Sequence, residues 1–179
     1  MNAHLYVFSV CGLIFCLSGR AADLRIGVIG LDTSHVIAFT TLLNQADHKN
    51  HVAGGKVVAA FKGGSPDIES SASRVDGYAS QLQKEFGVQI LPTIEALCRQ
   101  VDVVMLESVD GRPHLAQARP VIEAGKPLFI DKPVAGSLPD AVEIYRLARE
   151  RQVPVFSSSA YRFYESLQTV KRTDVGAIR

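Results

Sequence analysis

From Leu24 onward, short apolar runs rich in β-branched residues take turns with longer segments of helical period, and this alternation restricts the fold more than any single motif does. Residues 24–29 read as a strand, and 35–46 as a helix with an apolar stripe of Val36, Phe39, Leu42 and Leu43. Residues 56–61 form a second strand. Gly63-Gly64-Ser65-Pro66 opens a polar stretch, and a helix follows over 78–86. Residues 88–91 and 94–99 repeat the strand and helix in shorter form. The run 101–106 has Asp102 as its lone polar residue, the pattern of a strand covered on both faces. Residues 113–124 read as a helix, opened by a tolerated proline and closed at Gly125. A strand at 128–130, a helix at 138–151 and a sixth strand at 153–156 complete the series. Alternation at this spacing requires right-handed crossovers, so the expected fold is α/β: a doubly wound parallel sheet with helices on both faces.

The 179 residues suit one domain with a full-sized core. A net charge of +1 with no basic run excludes a polyanion surface, and a chain without tryptophan offers little for base stacking, so no nucleic-acid partner is expected. Residues 1–22 stand apart. The apolar run 5–17 precedes Ser18-Gly19-Arg20-Ala21-Ala22, small residues suited to signal-peptidase cleavage after Ala21. The segment predicts export to the periplasm or exterior; uncleaved, it would leave the chain membrane-anchored or cytoplasmic. The run is short for a full span, and no stable membrane insertion of the mature chain is expected. Cys11 and Cys16 would leave with the segment. Cys98 alone then remains, which excludes an internal disulfide and a cysteine-built metal cluster, and no metal site is expected.

Chemistry should collect where strands end, because ligands of open α/β sheets bind outside the carboxyl ends. The first strand runs into Gly30-Leu31-Asp32-Thr33-Ser34-His35, the place of the G-x-G-x-x-G dinucleotide fingerprint. The first glycine is kept, Asp32 replaces the second and His35 the third. A carboxylate roughly 5 Å from a phosphate, at an effective dielectric near 20, costs on the order of 3 kcal/mol. Asp32 therefore either turns away or weakens a dinucleotide site, and Asp32→Gly should then tighten binding. Asp32, Thr33 and Ser34 are all capable helix caps, and capping is the favoured role for Asp32. His35 could contact a ligand or simply pack. At the end of the second strand Lys62 and Ser65 suit a 2′-phosphate better than ribose hydroxyls, which slightly favours NADP over NAD. Beyond the fourth strand, Glu107, Asp110, Arg112 and His114 form a dense polar group. Glu107 and Asp110 could act as an acid/base pair, but a loop network with Arg112 is the favoured reading. Asp131-Lys132-Pro133 ends the fifth strand and puts Lys132 at the mouth of the crevice, with Pro133 biasing it towards extended geometry.

With these segments in place the chain resembles the N-terminal half of the glucose-fructose oxidoreductase/inositol dehydrogenase (Gfo/Idh/MocA) family. The likeness rests on Ile26-Gly27-Val28-Ile29-Gly30, Pro113-His114, Glu123-Ala124-Gly125-Lys126-Pro127, Asp131-Lys132-Pro133 where the family has Glu-Lys-Pro, and Ser157 to Phe163 at the linker. It implies a Rossmann-type NAD(P)-binding domain over 23–160, with 161–179 a linker and the broken-off start of a C-terminal catalytic domain. It implies NAD or NADP as cofactor, held around Gly30 to His35, Lys62, Glu107, His114 and Lys132. Lys132 would lie near the nicotinamide and substrate, with Asp131 positioning it, for hydride transfer at a sugar or polyol carbon. A small-molecule, sugar-like substrate is the expected partner, in a chain that could form a homo-oligomer and that alone should not turn over. Two rival expectations stand beside this one: an exported Rossmann-fold binding protein that has lost redox chemistry, favoured by Asp32 and His35, and a truncated fragment without function of its own.

Overall fold

The computed structural model describes residues 22–172. The expected export signal as far as Ala21, and residues 173–179 of the expected start of a further domain, lie outside the described residues. Six strands, β1 (Leu24–Ile29), β2 (Gly55–Phe61), β3 (Gln89–Leu91), β4 (Val103–Leu106), β5 (Leu128–Asp131) and β6 (Val155–Ser158), make one sheet in the order β3-β2-β1-β4-β5-β6. Every pairing is parallel. The order reverses between β1 and β4, and that switch point places the loops after these two strands on either side of one crevice.

The intervening helices are α1 (His35–Asn44), α2 (Glu69–Ala72), α3 (Val75–Phe86), α4 (Ile94–Gln100), α5 (His114–Glu123) and α6 (Leu138–Glu150). Strand alternation divides the core in two. Val28, Val57 and Ala60 meet Val36 of α1 and Ala79 and Leu82 of α3 on one face. Ile29, Ala59, Val104, Leu128 and Ile130 meet α4, α5 and α6 on the other. Gly27 lets α4 approach, since a Cβ there would lie 2.6 Å from Leu97 Cδ2. Past α1, its face of the sheet continues as an apolar groove of about 490 Å³ walled by Phe39, Leu42, Met105, Phe129 and Phe156.

The expected elements are present, with ends that shift for local reasons. The first helix stops at Asn44, two residues early, because the Asn44 amide clamps the backbone of Val57 with two hydrogen bonds of 2.8 Å. The third helix starts at Val75 and takes Gly77 into its first turn. The polar stretch before it holds α2, and a 3₁₀ turn (Ala160–Phe163) and α7 (Glu165–Arg172) follow β6; the sequence reading had none of these three. The fifth strand runs one residue further than expected and the sixth lies two residues later, at Val155–Ser158 in place of 153–156, so that Ile130 and Asp131 pair with Ser157 and Ser158. Among the described residues no helix is long and apolar enough to cross a membrane.

Candidate functional site

Alternation along adjacent strands decides which side chains meet at the carboxyl edge. Met105, Phe129 and Phe156 face the α1 side, so residues two further on, Glu107, Asp131 and Ser158, emerge on that side as well. His35 opens α1 directly against them, held by an edge contact with Phe39 at a centroid distance of 5.9 Å. Its Nδ1 lies 2.6 Å from Asp131 Oδ2, and Asp131 Oδ1 accepts the Lys132 N–H at 2.8 Å. The Lys132–Pro133 peptide is cis, where the sequence reading expected only an extended bias. Lys132 is exposed and its ammonium makes no ion pair among the described residues.

Glu107 is 1% exposed, and neither carboxyl oxygen has a hydrogen-bond partner among the described residues. Burial, reinforced by the nearby charge of Asp131, pushes its carboxyl up to about 8. Glu107 therefore stands apart from the acid/base pair and from the loop network drawn for it with Asp110. Asp110 does join that network: it accepts from Arg112 and from Ser65 Oγ at 2.6 Å, and the Arg112 guanidinium holds its carboxyl well below the usual range. Arg112 also binds Asp67.

The turn after β1 resolves the question of Asp32. Gly30 takes φ +89°, and a Cβ there would lie 2.3 Å from the Ser108 nitrogen, so only glycine lets the β1 and β4 loops touch. Asp32 is fully buried. Its Oδ2 accepts from Ser71 Oγ at 2.6 Å and its Oδ1 from the Val109 N–H at 3.1 Å. Ser71 Oγ in turn accepts the Ser65 N–H at 2.8 Å. Asp32 is thus a clasp between three loops and not the helix cap expected of it. Thr33 receives the His35 N–H at 3.3 Å, and Ser34 is the N-cap residue without a side-chain cap bond. With Asp32 turned inward and no acidic residue in the first turn of α1, the turn suits a pyrophosphate at the helix N-terminus.

The remaining predicted residues lie apart from this centre. Leu31 is fully buried beside Val36 in the core. Lys62 pairs with Asp76 at 2.7 Å at the exposed end of β2. His114 is fully buried between two carbonyls, Nε2 at 2.8 Å from Ser108 O and Nδ1 at 3.1 Å from Val134 O. A neutral ring can donate to only one of them. His114 ties the loop after β4 to the segment after β5. Ser158, whose buried hydroxyl has no partner among the described residues, was not singled out from the sequence; its strand parity with Asp131 was the available signal.

Comparison with known proteins agrees with this architecture. A dehydrogenase (MviM) from Clostridium difficile superposes with a TM-score of 0.62 at 18% identity, over 85% of this chain and 44% of that one. Scyllo-inositol dehydrogenase from Lactobacillus casei, solved with NAD(H) and scyllo-inositol, gives 0.63 at 19% over 84% and 40%. Biliverdin reductase from Synechocystis, in complex with biliverdin and NADP+, gives 0.61 at 18% over 84% and 42%. An uncharacterized oxidoreductase of Synechocystis is 35% identical over 57 residues, 32% of this chain and 15% of that protein. The chain spans less than half the length of each of these relatives. Residues 24–159 match the model of the oxidoreductase family with an NAD-binding Rossmann fold, so the chain belongs to the Gfo/Idh/MocA family and carries its nucleotide-binding domain.

Proposed function

We propose that this chain supplies the nucleotide-binding half of an NAD(P)-dependent oxidoreductase acting on a sugar or polyol-like small molecule. The observation that carries the reading is Lys132, exposed at the carboxyl edge of β5, on the same edge of the sheet as the switch-point turn of Gly30 and two strands from it. When bound, NAD(P) supplies the hydride acceptor or donor. Backbone amides at the start of α1 hold the pyrophosphate, with Gly30 setting the turn. Lys132 donates to a substrate hydroxyl or carbonyl oxygen, and Asp131 fixes its backbone. Lys62 favours NADP: its partner Asp76 is 87% exposed, so the pair is weak and open to exchange for a 2′-phosphate. Export is part of the proposal, supported by the apolar run and small residues before Ala22.

Thermal shift tests the reading in the chain itself, because a ligand that binds the folded state raises its melting point. NADP+ should raise Tm, and an inositol or hexose added on top should raise it further. Lys132→Met should abolish the second increment and keep the first. If no polyol or sugar adds to the cofactor shift, the assignment of Lys132 to the substrate is wrong.

A further inference from the structure

The geometry points to a divalent metal site of the zinc class formed by His35, Glu107 and Asp131, ahead of the apolar groove on the α1 face of the sheet. The inference stands independently of the hydride-transfer reading. The three residues come from three places in the chain, the start of α1 and the ends of β4 and β5, and each offers one ligand atom within 4.8 Å of the others. An imidazole with two carboxylates is a ligand set that first-row divalent ions accept. A metal about 2.1 Å from each ligand holds tetrahedral donors roughly 3.4 Å apart, so ligand atoms that lie within 4.8 Å of one another must close by up to about 1.4 Å on the Glu107 side. On the other side the His35–Asp131 contact of 2.6 Å must open, and the ion takes the place of the proton between them. His35 has room for this, since 40% of its side chain is exposed, which also gives an ion its way in.

Glu107 is the observation that separates this cluster from an ordinary group of acids. It is 1% exposed, both oxygens lack a hydrogen-bond partner among the described residues, and it faces the other two ligands. Buried polar groups are ordinarily satisfied, and one that is not asks for an explanation such as an ion. Ser158 adds a second orphan on the neighbouring strand, opposite Asp131 in register. A cation would balance two carboxylates that otherwise face each other with little water, and would give Glu107 a partner. Asp131 would keep its second oxygen on the Lys132 N–H, which fixes its orientation from outside the ligand shell.

The test uses the purified chain, stripped with EDTA, dialysed and kept free of NAD(P). Co2+ titration followed by visible absorption, and Zn2+ titration followed by calorimetry, should each show one equivalent bound. Glu107→Gln, Asp131→Asn and His35→Ala should each weaken binding by about tenfold or more. Asp67→Asn, at the distant Arg112 pair, should leave it unchanged, and circular dichroism confirms that each variant folds. The inference is overturned if neither ion binds saturably at one per chain, or if binding survives Glu107→Gln and Asp131→Asn undiminished. Because no nucleotide is present, failure here leaves the cofactor reading untouched, and success does not depend on it.

Discussion

Asp32 replaces a glycine of the dinucleotide fingerprint, and its surroundings explain how the fold accommodates a charge there. Two donors occupy the carboxylate, and through Ser71 the clasp reaches Ser65 and the end of β2. Asp32→Ala should therefore strand a part-buried amide and a buried hydroxyl and cost about 1–3 kcal/mol. In urea unfolding the midpoint should fall with an unchanged slope. For the same reason the expected gain in cofactor affinity on Asp32→Gly reverses: the loops loosen, and affinity should stay the same or drop. Cys98 gives a second test at this scale. It is 3% exposed, and burial pushes its thiol up to about 11 from 9.0. The folded chain thus keeps a proton that the unfolded chain releases above pH 9, so stability is fully present below 9 and declines as pH rises towards 11. Native alkylation at pH 8 should be much slower than in denaturant; equal rates would mean that α4 opens freely.

At the scale of elements, alternation and turn chemistry were legible in the sequence, because both are local. β1 begins and ends where its apolar run does, and Gly125 with φ +68° closes α5 as expected. The clamp of Asn44 on Val57 was not legible, since it depends on a strand eleven residues further on. The site follows the same division. Gly30 and Lys132 could be placed from their strands alone. Glu107 was grouped with Asp110 because they are neighbours in sequence, whereas strand parity directs it to Asp131, and only the order β4-β5 makes those two meet. His35 looked like a damaged glycine position until α1 was set against β5. Packing also predicts the outcome of changing Gly27. Gly27→Ala drives a Cβ into Leu97 and should cost about 1–3 kcal/mol, while the double change with Leu97→Val should recover part of the loss. A neutral Gly27→Ala would show that α4 is less tightly seated on β1 than the contact implies.

For the molecule as a whole, the sheet order matters more than any one residue. It puts Gly30, Ser108 and the α1 N-terminus at one crevice and sends Lys132 to its rim. Tyr161, Phe163 and Tyr164 are 64%, 73% and 53% exposed beyond the last strand, and Phe156 adds to the apolar surface at 61%. Patches of this kind promote association, so light scattering should show the particle mass rising with concentration, and Phe163→Ser should reduce the rise. A monomer at every concentration would show that these rings are covered in solution.

The central claim is that the turn from β1 into α1 binds the pyrophosphate of NAD(P), and Ser34 allows it to be tested without disturbing the fold. Ser34 is exposed, occupies the N-cap position of α1 and makes no side-chain cap bond. Aspartate is a good N-cap, so Ser34→Asp should keep or improve helix stability. The same carboxylate, about 5 Å from a bound phosphate at an effective dielectric near 20, should cost on the order of 3 kcal/mol, or about a hundredfold in Kd. Calorimetric titration of NADPH into the parent chain and into Ser34→Asp is the direct measurement. Saturable binding to the parent and a loss of that size in the variant is the predicted result. No binding to the parent, or equal binding to both, would contradict the account.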